Sequence, residues 1–181
     1  MSRFDHAEAD RRIGALIRVG RVEEADYEAA TLRVRIGANL TGPIPWLAPR
    51  AGGDRVWWAP EIGEQVLVLS VGGEADQAVV LPALYSDAHP APADSADIWR
   101  IEFADGAVID YDRAAHALRA VLPEGGTAHL EAPGGVTIIG DVQVTGTITA
   151  SEDVIAQGIR LVTHRHDGVD PGPGLTGEPV G

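Results

Sequence analysis

Two histidines near the carboxyl end, His164 and His166, have the clearest potential for chemistry in this sequence. Because they are spaced i, i+2, an extended segment places both imidazoles on one face. If that segment runs along a three-fold axis, three chains supply six imidazoles around one point, which suits an octahedral metal ion. Imidazole suits iron, nickel, copper and zinc alike. A site filled by protein ligands is structural, since a catalytic metal keeps an open position.

Two other interpretations of this pair stay open. The histidines could be solvated side chains in a flexible tail. They could also be the first half of a His-x-His-x-Asp-His hydrolase motif, although Asp167 directly follows His166 and Gly168 comes next, which breaks that spacing.

The acidic pairs Asp110/Asp112 and Glu152/Asp153 have the chemistry of glycosidase carboxylates. A separate lysozyme-type domain does not fit within 181 residues, so we expect these acids to lie on solvated strand faces. No serine lies in a Gly-x-Ser-x-Gly setting, which argues against nucleophilic catalysis. The sequence therefore predicts a protein that is not an enzyme.

The composition favours short strands and turns, because the chain has 22 Gly and 12 Pro and few aromatic residues. There is no Cys, so no disulfide framework is possible. The formal net charge of −13 repels phosphate backbones, and we expect no binding to nucleic acid. The charged segment 1–10 lacks the apolar stretch of a secretory signal, so we expect synthesis in a cytoplasm.

After a lead-in of residues 1–12, the segment 13–86 has the pattern of a small antiparallel barrel. Its strands are short, and no convincing helix lies between them, so an OB-type barrel is predicted and a small sandwich is the competing fold. Tryptophans 46, 57 and 58 are expected in the barrel core and at trimer contacts, a nucleic-acid stacking platform being the alternative. The predicted strands are Ala15–Glu24, Thr31–Ile36, Pro43–Leu47, Gln65–Ser70 and Gln77–Leu84.

Residues 87–97 are rich in Pro and Ala and form a predicted linker. In residues 98–162 a hairpin is expected across Asp105-Gly106, followed by short strands punctuated by glycine. Such strands enclose no core within one chain and expose unpaired edges, so three chains wound about one axis are expected, with a single-chain solenoid as the alternative. The side chains predicted to point inward are Val136, Ile138, Val142, Val144 and Ile148.

Motifs along nearly the whole chain match one known family. In the predicted barrel they include Arg33–Gly37, Pro45–Leu47 and Pro60–Val66. Near the carboxyl end the most specific is Thr163–His166, with Gly158–Leu161 before it. On these residues the chain resembles the baseplate assembly protein V spikes of contractile-tailed phages and related pyocins.

The resemblance implies an all-β fold with an OB-fold base, a trimeric β-helix needle and an apex at residues 163–181. There, His164 and His166 of three chains would bind one ferrous iron ion through six His ligands. It also implies a virion protein, the central spike of the tail baseplate, which attaches to the hub and tail tube and pierces the host outer membrane on sheath contraction. The alternative function is a metal-dependent hydrolase acting on cell-envelope polysaccharide.

Overall fold

The structure, a computed structural model, describes residues 3–165 together with residues 168 and 172. The chain forms two compact units, residues 1–128 and residues 129–181. The first unit holds a helix, a barrel and a three-stranded sheet, and the described part of the second holds a short hairpin. Among the described residues, no helix is long and apolar enough to cross a membrane.

The first element is helix α1 (Arg3–Leu16). In it Glu8 pairs with Arg11 at 2.8 Å and with Arg12 at 2.7 Å, and these guanidinium groups lower the pKa of Glu8 to about 2. Such pairs three and four residues apart support an exposed helix. The helix is longer than the predicted lead-in, and the first strand begins at Ile17, two residues later than predicted.

Six strands form the barrel, and all five of its strand ladders are antiparallel. The strands are β1 (Ile17–Asp26), β2 (Thr31–Ile36), β3 (Asn39–Leu40), β4 (Ile44–Pro45), β5 (Gln65–Ser70) and β6 (Ala78–Leu84). Their order is β3-β2-β1-β5-β6, and β4 also pairs with β2. The barrel closes where Trp46 bridges to Val80, with the Leu47 amide donating to the Val80 carbonyl at 2.8 Å. This closed arrangement is the predicted OB-type barrel and not a sandwich.

The barrel core consists of aliphatic side chains on the inward faces of the strands. In β5, Val66 and Val68 are fully buried while the residues between them are partly exposed, as the alternation of a half-buried strand requires. Gly20 in β1 lies so close to β2 that an added Cβ would be 2.4 Å from Val34 Cγ1 and 2.9 Å from the Arg35 carbonyl oxygen. The core residues are Val22, Leu32, Val34, Ile44, Val66, Val68, Ala78 and Val80.

A three-stranded antiparallel sheet completes the described elements of the first unit. Its strands are β7 (Ile98–Glu102), β8 (Val108–Asp112) and β9 (Ala117–Val121). The predicted hairpin across Asp105-Gly106 is present, because Gly106 adopts a φ of +88° and the Phe103 amide donates to the Ala107 carbonyl. Residues 122–154 then contain no strand.

The described part of the second unit contains one hairpin, formed by β10 (Ile155–Ala156) and β11 (Ile159–Arg160). Gln157 and Gly158 turn the chain between them, both with positive φ. The predicted trimeric β-helix would pair its rungs between chains, so it stays a prediction.

Candidate functional site

The second unit leads into the predicted apex through the hairpin of residues 153–162. Beyond the pairing of β10 with β11, the Leu161 amide donates to the Val154 carbonyl at 2.9 Å. Asp153 lies at the start of the hairpin, and its carboxylate accepts a hydrogen bond from the Val162 amide at the end of the hairpin, at 3.1 Å. The residue that follows this closed loop by two positions is His164.

His164 is held by a short hydrogen bond to the hairpin. Its Nδ1 lies 2.7 Å from the Leu161 carbonyl oxygen. Because a carbonyl oxygen only accepts, Nδ1 must carry the hydrogen, and the neutral ring then has its lone pair on Nε2. This tautomer is the one that a ligand bonding through Nε2 needs, so the donor chemistry of His164 fits a metal site.

His166, the other predicted ligand, lies outside the described residues. Among the residues that the structure does describe, no group of three or more His, Cys, Asp or Glu side chains is placed to hold a metal ion. A metal bound at His164 would therefore need donors from beyond this part of one chain.

An apolar hollow of about 370 Å³ lies beside His164. The side chains of Val154, Ile159 and Leu161 contribute to its wall, and each of them is exposed in the single chain. The surroundings of the histidine are therefore aliphatic on the hairpin side. Such surroundings limit water access to a metal once they are covered.

The five aliphatic side chains predicted to point toward the axis of the needle are all exposed in the single chain. Ile138 is 67% exposed, and its neighbour Ile139, which was not predicted to point inward, is 97% exposed. A protein in water rarely leaves so many aliphatic side chains exposed within one short segment, here residues 136–148, unless a partner surface covers them. This row is the clearest candidate for an assembly surface in the described part of the second unit.

The barrel has a second aliphatic surface, on the outward faces of β1, β5 and β6. Two rows of three residues cross these strands in register, and each row pairs across β5. The residues are Ile17, Leu69 and Val79 in one row and Val19, Leu67 and Leu81 in the other. All six are at least partly exposed, so we name them the outer barrel face.

The three barrel tryptophans divide into two environments. Trp46 packs against the core, as predicted. Trp57 and Trp58 are 65% and 60% exposed, so they lie outside the core, and their expected place at trimer contacts stays a prediction. They lie in the segment between β4 and β5, outside the barrel, where Trp58 stacks on Phe103 with ring centroids 6.1 Å apart. With Tyr27 they line an open cleft of about 650 Å³.

The expectation that Asp110 and Asp153 lie on solvated strand faces was also wrong. Asp110, in the central strand β8, is buried and accepts from Arg119 at 2.8 Å and Arg100 at 2.9 Å. These hydrogen bonds, led by that of Arg119, hold the pKa of Asp110 below its usual value. The side chain of Asp153 is only 11% exposed. The sequence gives no local signal for either, because their partners are fixed by strand register and by a loop.

The comparison with known families identifies the barrel. Residues 18–85 match the family of Type VI secretion system and phage-baseplate injector OB domains. The matched segment covers the barrel strands from the second residue of β1 to the end of β6. The first unit therefore contains an OB domain of the baseplate injector class.

A relative among known proteins extends this likeness. The chain is 46% identical over 130 residues to the spike protein of Escherichia phage P2, a match that covers 72% of this chain. The chain spans 61% of the length of that relative. Both findings support the phage baseplate V and spike family for this chain, and this is a family of structural proteins and not of enzymes. The expectation of a non-enzymatic protein agrees with this assignment.

Proposed function

We propose that this protein is the central spike of a contractile phage tail or a related tail-like particle such as a pyocin. Three copies would form the spike, with the OB barrels as its base on the baseplate hub and tail tube and the needle as its tip. On sheath contraction the tip would be driven through the host outer membrane. The particle would carry the spike after synthesis in the bacterial cytoplasm.

The observation that carries the trimer is the row of exposed aliphatic side chains in residues 136–148. Burying apolar surface is the main favourable contribution to association, and these side chains are left exposed by the described residues of their own chain. Three chains wound about one axis would bury the row and pair the strand edges together. The outer barrel face offers further apolar area for contact between the bases.

Iron at the apex would hold the three chains together where the last rung has no neighbour beyond it. His164 and His166 of each chain would be its ligands, giving six imidazoles in an octahedral set. The metal would supply a crosslink and no chemistry, since no coordination position would be open to water or substrate. The neutral tautomer that the Leu161 carbonyl selects at His164 supports this role.

The role of the protein is mechanical. A shaft whose strands are all paired has no free edges at which to open, so it transmits force along its axis. The injector OB domain and the 46% identity to a phage spike protein support this use. A hydrolase acting on envelope polysaccharide, the alternative predicted from sequence, finds no support in a family of structural proteins.

The test combines sedimentation of the purified protein with elemental analysis. We expect a trimer with one iron per three chains. The double variant His164→Ala plus His166→Ala should still form trimers but contain no iron, because the needle is held by its aliphatic rungs. A wild-type monomer would refute the spike, and iron content unchanged in the double variant would refute the metal assignment.

A further inference from the structure

We propose that Asp153 is a positioning residue of the apex, because it fixes a peptide group that orients His164. This inference rests on the proposed function, since it concerns a ligand of the proposed metal. It adds a residue that the spacing of the histidines does not reveal, eleven positions before His164 in the sequence.

The carboxylate of Asp153 is largely enclosed by its own loop. Its Oδ1 accepts from two backbone amides, that of Val154 at 2.9 Å and that of Val162 at 3.1 Å. Its Oδ2 receives Arg160 Nη1 at 3.3 Å. The guanidinium group of Arg160 is 60% exposed, so this ion pair is weak, and the two amide contacts at Oδ1 define the position of the carboxylate.

The Leu161–Val162 peptide group connects this carboxylate to the histidine. The amide of that group belongs to Val162 and donates to Asp153 Oδ1. The carbonyl of the same group belongs to Leu161 and accepts from His164 Nδ1. Because a peptide group is planar, fixing the direction of its amide also fixes the direction of its carbonyl. Asp153 therefore sets where the acceptor of the His164 ring lies.

The consequence for a metal ligand is specific. A histidine that ligates through one nitrogen commonly donates its other N–H to a backbone carbonyl, which fixes the tautomer and the orientation of the ring. Loss of such an outer partner typically weakens metal binding by about 10- to 100-fold.

Four variants of the full-length trimer test the inference, with the rate of iron release to a chelator as the measurement. Asp153→Ala removes both carboxylate oxygens and should release iron about 10- to 100-fold faster. Asp153→Asn keeps an oxygen at the Oδ1 position and should release iron at close to the wild-type rate. Asp153→Glu keeps the charge but moves the acceptor by one methylene, and should resemble the alanine variant. Glu152→Ala, at the exposed neighbour, is the control and should have no effect.

The visible spectrum of the cobalt-substituted trimers separates positioning from a general loss of structure. Misplaced histidines should change the cobalt coordination in the alanine and glutamate variants, while asparagine restores the wild-type spectrum. The inference would be overturned if Asp153→Ala released iron at the wild-type rate, or if Asp153→Asn released it fast, even with metal present in the wild-type protein. Wild-type trimers without metal would overturn the proposed metal site, and this inference with it.

Discussion

The substitution Ile138→Ser, compared with Ile139→Ser, tests the needle most directly. The two side chains are adjacent, and in an extended rung adjacent side chains point to opposite faces. In the single chain they are 67% and 97% exposed. In the proposed trimer Ile138 becomes buried against the axis, whereas Ile139 stays in solvent.

The expected magnitude follows from these exposures. Full burial of an isoleucine contributes about 1.5–3 kcal/mol, so covering the two-thirds of Ile138 that is exposed contributes about 1–2 kcal/mol per chain. Three chains lose about 3–6 kcal/mol together, which is about 100- to 10,000-fold in the equilibrium constant for trimer formation. Ile139→Ser should change it little, because that side chain gains no contact on assembly.

The assay is trimer dissociation in increasing urea, followed by sedimentation at several protein concentrations. We expect the Ile138→Ser trimer to dissociate at a clearly lower urea concentration than the wild-type and Ile139→Ser trimers. Equal behaviour of the two variants would refute the alternation on which the needle is built. A larger effect at Ile139 would show that the rung has the opposite face toward the axis.

Two further predictions concern the first unit. Gly20→Val should destabilise the barrel by about 1–3 kcal/mol, because an added Cβ would lie 2.4 Å from Val34 Cγ1. Gly14→Ala, in open space on α1, is the control and should be neutral or stabilising. Equal midpoints of urea unfolding for the two variants would contradict this prediction. Asp110 has a lowered pKa when folded, so its contribution to stability is present above the ordinary value of about 3.9 and is lost as the pH falls through the folded value. Asp110→Asn should therefore lower stability at neutral pH and weaken its dependence on acid, as a pH series of thermal unfolding would reveal.

In the barrel, the sequence predicted the strands best where one face of a strand is buried and the other is exposed. The bounds of β2 and β5 were predicted as the structure has them. Apolar and polar residues alternate along β2, and β5 is a short apolar run between Gln65 and Ser70. The start of β1 was predicted two residues too early, because the apolar residues between Ile13 and Ile17 fit a helix end or a strand equally well. Trp57 and Trp58 lie outside the predicted core, because the size of an aromatic side chain favours burial without specifying which surface covers it.

Of the candidate site, the sequence reveals only the two proposed ligands. The spacing of His164 and His166 is local, so the sequence reveals it. The peptide group that orients His164 and the carboxylate that holds it are joined through a loop, and Asp153 reads locally as one of two exposed acids. Asp110 is a parallel case, because Arg100 and Arg119 become its partners only through the register of β7, β8 and β9.

The two units use similar small aliphatic residues in different ways. In the barrel, Val66 and Val68 are buried by strands of the same chain, so the core is complete before any assembly. In residues 136–148 the aliphatic side chains are exposed in that chain, so their burial in the proposed spike depends on partners and therefore on concentration. Contacts between the outer barrel faces of three folded barrels would hold their needle segments close together, which raises the effective concentration of those segments. The metal would then bind last, because its six ligands meet only after the rungs have aligned.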